Sequence, residues 1–359
     1  MSEPMRLTLE VARLELRKTF FARRGLWVYL LAFAPVLLFT ANSAYAPRER
    51  ARMTSLSVAH PQSTPAAMNV IHRGLTKDEV IEKIGEPYAK RSNKRRIGPD
   101  RILEQDFYRY TDGQDDYGLF FNDGRLVGIR KTNPGTLDED LLVFASIFQF
   151  YFLRLAVFFG CVGIFMNLIR GEMLDKSLHF YLLSPIPREW MLLGKYLAGL
   201  AATAVIFTAS AVMQIGVMLW QFDHATLSGY LQNSGWSQIA AYAGVTVLAC
   251  VGYGSIFTAA GLFFKNPIVP AATVLIWESV NLFVPESLKQ FSLIYYLQSL
   301  CPVSAPTDST MPAPLAALVS NGEPASVVTA VSVIAIMTTM VLVLASRRSR
   351  DLEVNYTAE

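Results

Sequence analysis

"LWVYLLAFAPVLLFTANSAY", residues 26–45, is a run of twenty residues without one charged side chain. That is the length an α-helix needs to cross a hydrocarbon core of about 30 Å at 1.5 Å per residue. Similar apolar blocks recur at about 142–169, 191–220, 239–264, 268–283 and 327–345. The composition agrees: mean hydropathy is +0.31, 52% of residues are hydrophobic and 17% are charged, against about 25% charged in a typical soluble domain. The predicted fold is a mainly α-helical polytopic membrane protein with six transmembrane helices, the first at 26–45 and the others within 141–346. A further apolar stretch, "LKQFSLIYYLQSL" at 288–300, is too short to span and is predicted to be an outer interfacial or re-entrant segment.

Lysine and arginine in short loops set the orientation of such a chain. They gather in the N-terminal tail (Arg6, Arg13, Arg17, Lys18, Arg23, Arg24), in the 170–195 loop (Arg170, Lys176, Arg188, Lys195), at Lys265, and at Arg347, Arg348 and Arg350. The segment 221–236 has none, and 285–325 has only Lys289. Both termini, including the tail 347–359, are therefore expected in the cytoplasm, and the segment between the first two spans outside. Within 1–25, Arg6, Arg13, Arg17 and Arg24 share one helical stripe flanked by leucine and phenylalanine, which predicts a cytoplasmic amphipathic interfacial helix. "ANSAYA", 41–46, has the small residues of a signal-peptide cleavage site ending at Ala46. The length and helical patterning of the residues before it favour an uncleaved first span.

Residues 46–140 are as charged and aromatic as a soluble domain, and are predicted to form a small α+β insert between helices 1 and 2. It opens with a Pro-, Ser- and Arg-rich linker, 47–66. In "GLTKDEVIEKIGEP", 74–87, Thr76 and Glu79 have the spacing of a capping box. Val80, Ile81 and Ile84 supply a buried face, and Gly85 and Pro87 end the helix. "KRSNKRR", 90–96, reads as a solvated cationic loop, with anionic lipid headgroups as its alternative contact. "EQDFYRYT", 104–111, and "DYGLFFNDGRLVGIRK", 116–131, read as strands with a hairpin turn at Asn122-Asp123-Gly124. This helix-then-meander order, over about 70–131, resembles the periplasmic small-lipoprotein fold of the small subunit of the outer-membrane barrel-assembly machine. The lipoprotein cysteine of that fold is absent. The resemblance implies a protein- or envelope-binding module in the periplasm, a periplasmic protein as a partner, and a chain in the bacterial inner (plasma) membrane. His72 has no cysteine or clustered carboxylate at metal spacing, and Asp112, Asp115 and Asp116 around Gly113 lack the other ligands of a calcium loop, so no metal site is expected.

"RGEMLDKSLHFYLLSPIPREWMLLGKY", 170–196, is the most charged loop in the second half. Leu174, Leu178, Tyr181 and Leu182 form a helical stripe, Pro185 and Pro187 end that helix, and Pro187 starts the next with Glu189 near its positive end. The stretch resembles the cytoplasmic loop and third span of type-2 ABC-transporter permeases. The matching features are acidic Glu172, then Leu182-Leu183-Ser184-Pro185, basic Arg188, and Gly194-Lys195 opening the span. Where that family has a "GTLE"-like stretch, this chain has "DKSLHF". The resemblance covers about 260 residues. It implies that the 170–190 loop docks into a cytoplasmic ABC ATPase dimer, with Tyr181 and Leu182 as anchors, Glu172, Lys176 and Arg188 at the rim, Leu178 also among the coupling residues, and Ser184 in the turn. It further implies a second permease copy or paralogue as partner.

This chain carries no engine of its own: "LLGKYL" has Tyr196 where a phosphate loop needs Ser or Thr. No cofactor is expected on the chain, and ATP with Mg belongs to the partner ATPase. The net charge of +3, with no basic surface interleaved with aromatics, argues against a nucleic-acid partner. The spans lack a nucleophile–base or metal constellation, so the chain is not expected to be an enzyme. Arg154 and Glu278 fall inside predicted spans, where charges are costly and mark polar pathways. They are the candidate substrate-pathway residues. The favoured function is the permease subunit of an ATP-driven exporter in contact with the lipid bilayer. The alternative is a non-transporting envelope-assembly scaffold that uses the insert to bind proteins.

Overall fold

A computed structural model describes residues 11–13, 16, 25–59, 63–96, 102–113, 115–132, 136–174, 187–264, 266, 268–281, 284–304 and 324–350. The chain divides into two compact units: one of Met1–Phe39, Leu141–Val217 and Asp223–Glu359, the other of Thr40–Asp140 with Met218–Phe222.

The first unit is helical. Among the described residues, five helices are long and apolar enough to cross a membrane: Leu26–Ala59, Leu137–Leu168, Arg188–Leu219, His224–Phe263 and Val327–Arg350. In chain order, α1 is Leu26–Ala59, α2 is Pro65–Met68 and α3 is Lys77–Ile84, the last two in the second unit. Helix α4, Leu137–Ser146, runs through a π-helical stretch, Ile147–Val157, into α5, Phe158–Leu174. Helix α6 is Arg188–Leu219; α7, His224–Tyr230, passes through the π-helical turn Leu231–Gly235 into α8, Trp236–Phe263. Asp223 caps α7 by accepting from Ala225 N at 3.1 Å and Thr226 N at 3.3 Å. Then follow α9, Ile268–Val280; α10, Glu286–Lys289; α11, Leu293–Ser299; and α12, Val327–Arg350.

Two differences from the sequence reading matter here. The fifth apolar block yields only the 13-residue α9, about 20 Å at 1.5 Å per residue and short of a full crossing. The 288–300 stretch is two short helices, α10 and α11, because Gln290, Phe291 and Ser292 leave the helix between them. Helix α8 is the hub, packing against α5 and α12. Phe144, Phe148 and Phe152 stack along one face of α4 and its π-helical extension, and Tyr242 meets Phe144 and Phe148 edge-on at 4.8 Å. Phe158 meets Phe257 at 5.1 Å and Tyr253 at 5.4 Å. Gly160 lets the Phe207 ring approach so closely that a Cβ there would lie 2.2 Å from it.

The second unit contains a four-stranded antiparallel meander of β1, Ala89–Arg96, β2, Ile102–Thr111, β3, Asp116–Asn122, and β4, Arg125–Thr132, in spatial order β1-β2-β3-β4. The capping box of α3 is present: Thr76 N donates to Glu79 Oε2 at 2.8 Å, and Glu79 N donates to Thr76 Oγ1 at 3.4 Å. Val80 and Ile84 are fully buried against Tyr110, Leu119, Phe121 and Leu126. Asp123 at φ 46° and Gly124 at φ 80° make the β3–β4 turn, the pair of left-handed residues that a type I′ hairpin needs.

The cationic "KRSNKRR" is strand β1 rather than a loop: Lys90–Arg96 pair with Tyr108–Ile102 of β2. It has no apolar alternation because it is an edge strand, and a row of lysine and arginine protects such an edge from further pairing. The 47–66 linker is also corrected. Helix α1 continues through Pro47 to Ala59. Arg50, at that level, donates to Gln221 Oε1 at 3.1 Å and stacks over Phe222 at 4.9 Å. Gln221 is 171 residues away in sequence.

Candidate functional site

A buried polar cluster of the helical unit is built around Glu278, near the end of α9. The residue is 5% exposed. Its Oε1 accepts from Leu293 N at 3.0 Å. Its Oε2 accepts from Ser292 Oγ at 2.7 Å and Ile294 N at 2.9 Å. Ser292, the residue at the N-cap of α11, makes no side-chain cap of its own. The carboxylate of α9 therefore caps α11 from outside, satisfying amides that the first turn leaves open and placing negative charge at the positive helix end. Trp277 Nε1 adds a bond to Phe291 O at 3.3 Å. Gly252 of α8 lies directly under Leu293, where a Cβ would come within 2.7 Å of its side chain.

Arg154 sits near the middle of Leu137–Leu168, inside the π-helical stretch. Such widened turns are rare and concentrate at functional positions. Its guanidinium lies over the Phe150 ring at 5.7 Å. The Nε and Nη2 atoms are buried and have no hydrogen-bond partner. Tyr253 of α8 lies between Arg154 and Glu278: its ring meets Phe158, one turn beyond Arg154, at 5.4 Å, and the adjacent Gly252 lies under Leu293, whose amide donates to Glu278. Tyr253 is 0% exposed and its hydroxyl is unpartnered. The structure thus brings the two sequence-predicted pathway residues into one neighbourhood and gives them different jobs. Glu278 is saturated by three donors, whereas Arg154 is not.

Of the predicted coupling residues, Lys176, Leu178, Tyr181, Leu182 and Ser184 lie outside the described residues, as does the side chain of Glu172, whose backbone is in the last turn of α5. Arg188 begins α6, and its Nη1 donates to Arg350 O at 2.7 Å. The neighbouring Glu189 pairs with the Arg350 side chain. Between them, α6 and α12 leave an open groove of about 290 Å³ that includes Trp190, Leu193, Leu342 and Val343. Lys195 is 2% exposed and its Nζ donates to Leu168 O at 3.0 Å, fastening the base of α6 to α5.

Tyr253 and Ser292 were not legible as site residues. Tyr253 sits in a run of small and apolar residues, "ACVGYGSIF", with no polar periodicity, and Ser292 is 14 residues from its partner. Among the described residues no group of three or more His, Cys, Asp and Glu is placed to hold a metal.

Several apolar helices of membrane-crossing length, with charged side chains buried among them, define a polytopic membrane protein. Residues 9–350 match the family described as ABC-2 family transporter protein, and the chain belongs to that family. No curated protein and no solved structure matches it.

Proposed function

We propose that this chain is the permease subunit of an ATP-driven exporter, working as a pair of permeases on a cytoplasmic ABC ATPase dimer. The family match over 9–350 carries this reading. The base of α6 supports it: Pro187 starts the helix, Arg188 and Glu189 bind Arg350, and Lys195 is tied to Leu168. Force applied to the preceding loop therefore reaches α5, α6 and α12 together instead of dissipating in one helix end. In this reading the chain crosses six times, with α9 completed by the return through α10 and α11, and both termini are cytoplasmic. The insert is periplasmic, and Tyr181 and Leu182 seat the loop in the ATPase.

The test is isolation of the chain in mild detergent with its associated proteins, followed by ATPase measurement. A co-purifying P-loop ATPase whose turnover depends on the permease is the expected result. In Tyr181→Ala/Leu182→Ala, ATP hydrolysis is expected to uncouple from transport. Unchanged complex formation and transport in that variant would overturn the docking assignment. Recovery of outer-membrane assembly proteins without any ATPase would favour the scaffold instead.

A further inference from the structure

We propose that Arg154 and Tyr253 bind an oxyanion, the phosphate-like headgroup of an amphiphile, within the helical unit. As a statement about cargo this rests on the transporter reading; as a binding site it does not.

The unpartnered atoms define the ligand's sign. A guanidinium can only donate hydrogen bonds, and it remains charged. Arg154 presents two buried donors, Nε and Nη2, with nothing to receive them. The fully buried Tyr253 hydroxyl, on a ring packed at 5.4 Å against Phe158 one turn beyond Arg154, is a third unused donor. A cationic donor left unsatisfied in an apolar region is costly and is retained where a ligand completes it. The chain's own carboxylate does not complete it. The two oxygens of Glu278 are held by Ser292, Leu293 and Ile294.

Geometry narrows the class further. Phe150 covers one face of the guanidinium, leaving the donor edge, which suits a planar or tetrahedral oxyanion bound through two oxygens. The Arg154 side chain is half-buried rather than enclosed, and Leu155 beside it is exposed. On a helix of membrane-crossing composition, an exposed apolar side chain faces acyl chains. A headgroup arriving with its own chain would therefore keep that chain in lipid while its oxygens reach the arginine. A free phosphate presents the same oxygens without the chain, and the test separates the two sources.

The full chain, in micelles of a non-ionic maltoside detergent without any ATPase, would be titrated with dodecyl phosphate, an uncharged dodecyl polyoxyethylene ether and inorganic phosphate, and bound ligand counted by native mass spectrometry. Dodecyl phosphate is expected to bind at least about ten-fold more tightly than the uncharged dodecyl ether, the scale of one charge-assisted hydrogen bond. That preference should disappear in Arg154→Gln and fall several-fold in Tyr253→Phe, while Arg154→Lys keeps part of it. Competition by inorganic phosphate at similar concentration would assign the site to a free anion; failure to compete would assign it to the amphiphile. Equal affinity for the two dodecyl ligands would overturn the proposal. If Arg154→Gln does not fold, Tyr253→Phe and Arg154→Lys decide it, and undiminished preference in both overturns it. A failed titration alongside a working ATPase complex removes the oxyanion site alone. A successful titration with no ATPase partner removes the transporter reading alone.

Discussion

Glu278 and Arg154 entered as a matched pair of intramembrane charges, and their surroundings separate them. Glu278 accepts three hydrogen bonds from the start of α11. Glutamine at this position keeps one acceptor oxygen and turns an amide nitrogen toward a donor. Glu278→Gln is therefore expected to destabilise the solubilised protein by about 1–3 kcal/mol, the cost of a buried donor left unmade. Thermal unfolding in detergent reads this directly, with Glu278→Ala lower still. A residue that merely lined a pathway would leave the unfolding midpoint unchanged and reduce only transport. The presence of two charges within apolar runs was legible, because any charge in such a run stands out. Their division of labour was not, since it depends on Ser292 and Tyr253, whose polar groups are ordinary until the helices bring them close.

At the scale of elements, what could be read locally and what could not fall on opposite sides of a physical line. The capping box at Thr76 and Glu79 and the turn at Asp123-Gly124 are encoded by neighbours in sequence, and both are present. Strand β1 and the second half of α1 are set by distant partners: β2 for the one, Gln221 and Phe222 for the other. No local periodicity carries that information. The capping box also gives a pH dependence. Backbone and side-chain hydrogen bonds from Thr76 hold the Glu79 carboxyl below its ordinary value of 4.5. Its contribution to α3 is thus present above 4.5 and lost as the pH falls through the lower folded value. Lys77, paired with Asp106, has its pKa raised above 10.5, chiefly by that hydrogen bond. Its contribution is present below 10.5 and lost as the pH rises through the folded value. Hydrogen exchange across Lys77–Ile84 of the full chain, corrected for the intrinsic rate, is expected to quicken below pH 4.5 and again in strong alkali. Glu79→Gln should abolish the acid limb and leave the alkaline one. Thr76→Ala, which removes the cap itself, should cost about 1 kcal/mol at neutral pH.

At the scale of the whole molecule, the open quantity is the number of crossings, and it turns on α9. Thirteen residues supply about two-thirds of a hydrocarbon thickness. Glu278 lies near the end of this helix, held by the first turn of α11. A carboxylate spending its hydrogen bonds on a short returning helix is what a chain needs where α9 stops within the bilayer, because lipid offers the open amides of α11 no partner. In the proposed topology the polypeptide would then leave on the outer side through α10 and α11 and re-enter as α12, for six crossings and termini on one face. If α9 instead entered and returned on the same side, the crossings would number five and the termini would face opposite ways. Cysteine labelling distinguishes these. Cys161 and Cys250 are buried and Cys301 is partly so, which leaves a quiet background once Cys301 is made serine. Exposed Glu82→Cys is expected to react with a membrane-impermeant maleimide in intact cells. Exposed Arg348→Cys, at the end of α12, should react only after permeabilisation, as should a cysteine placed in the N-terminal tail. Labelling of Arg348→Cys from outside while the N-terminal cysteine stays protected would reduce the count to five and make α9 a re-entrant hairpin arm. The Glu278 cap would then serve to hold that arm inside the bilayer.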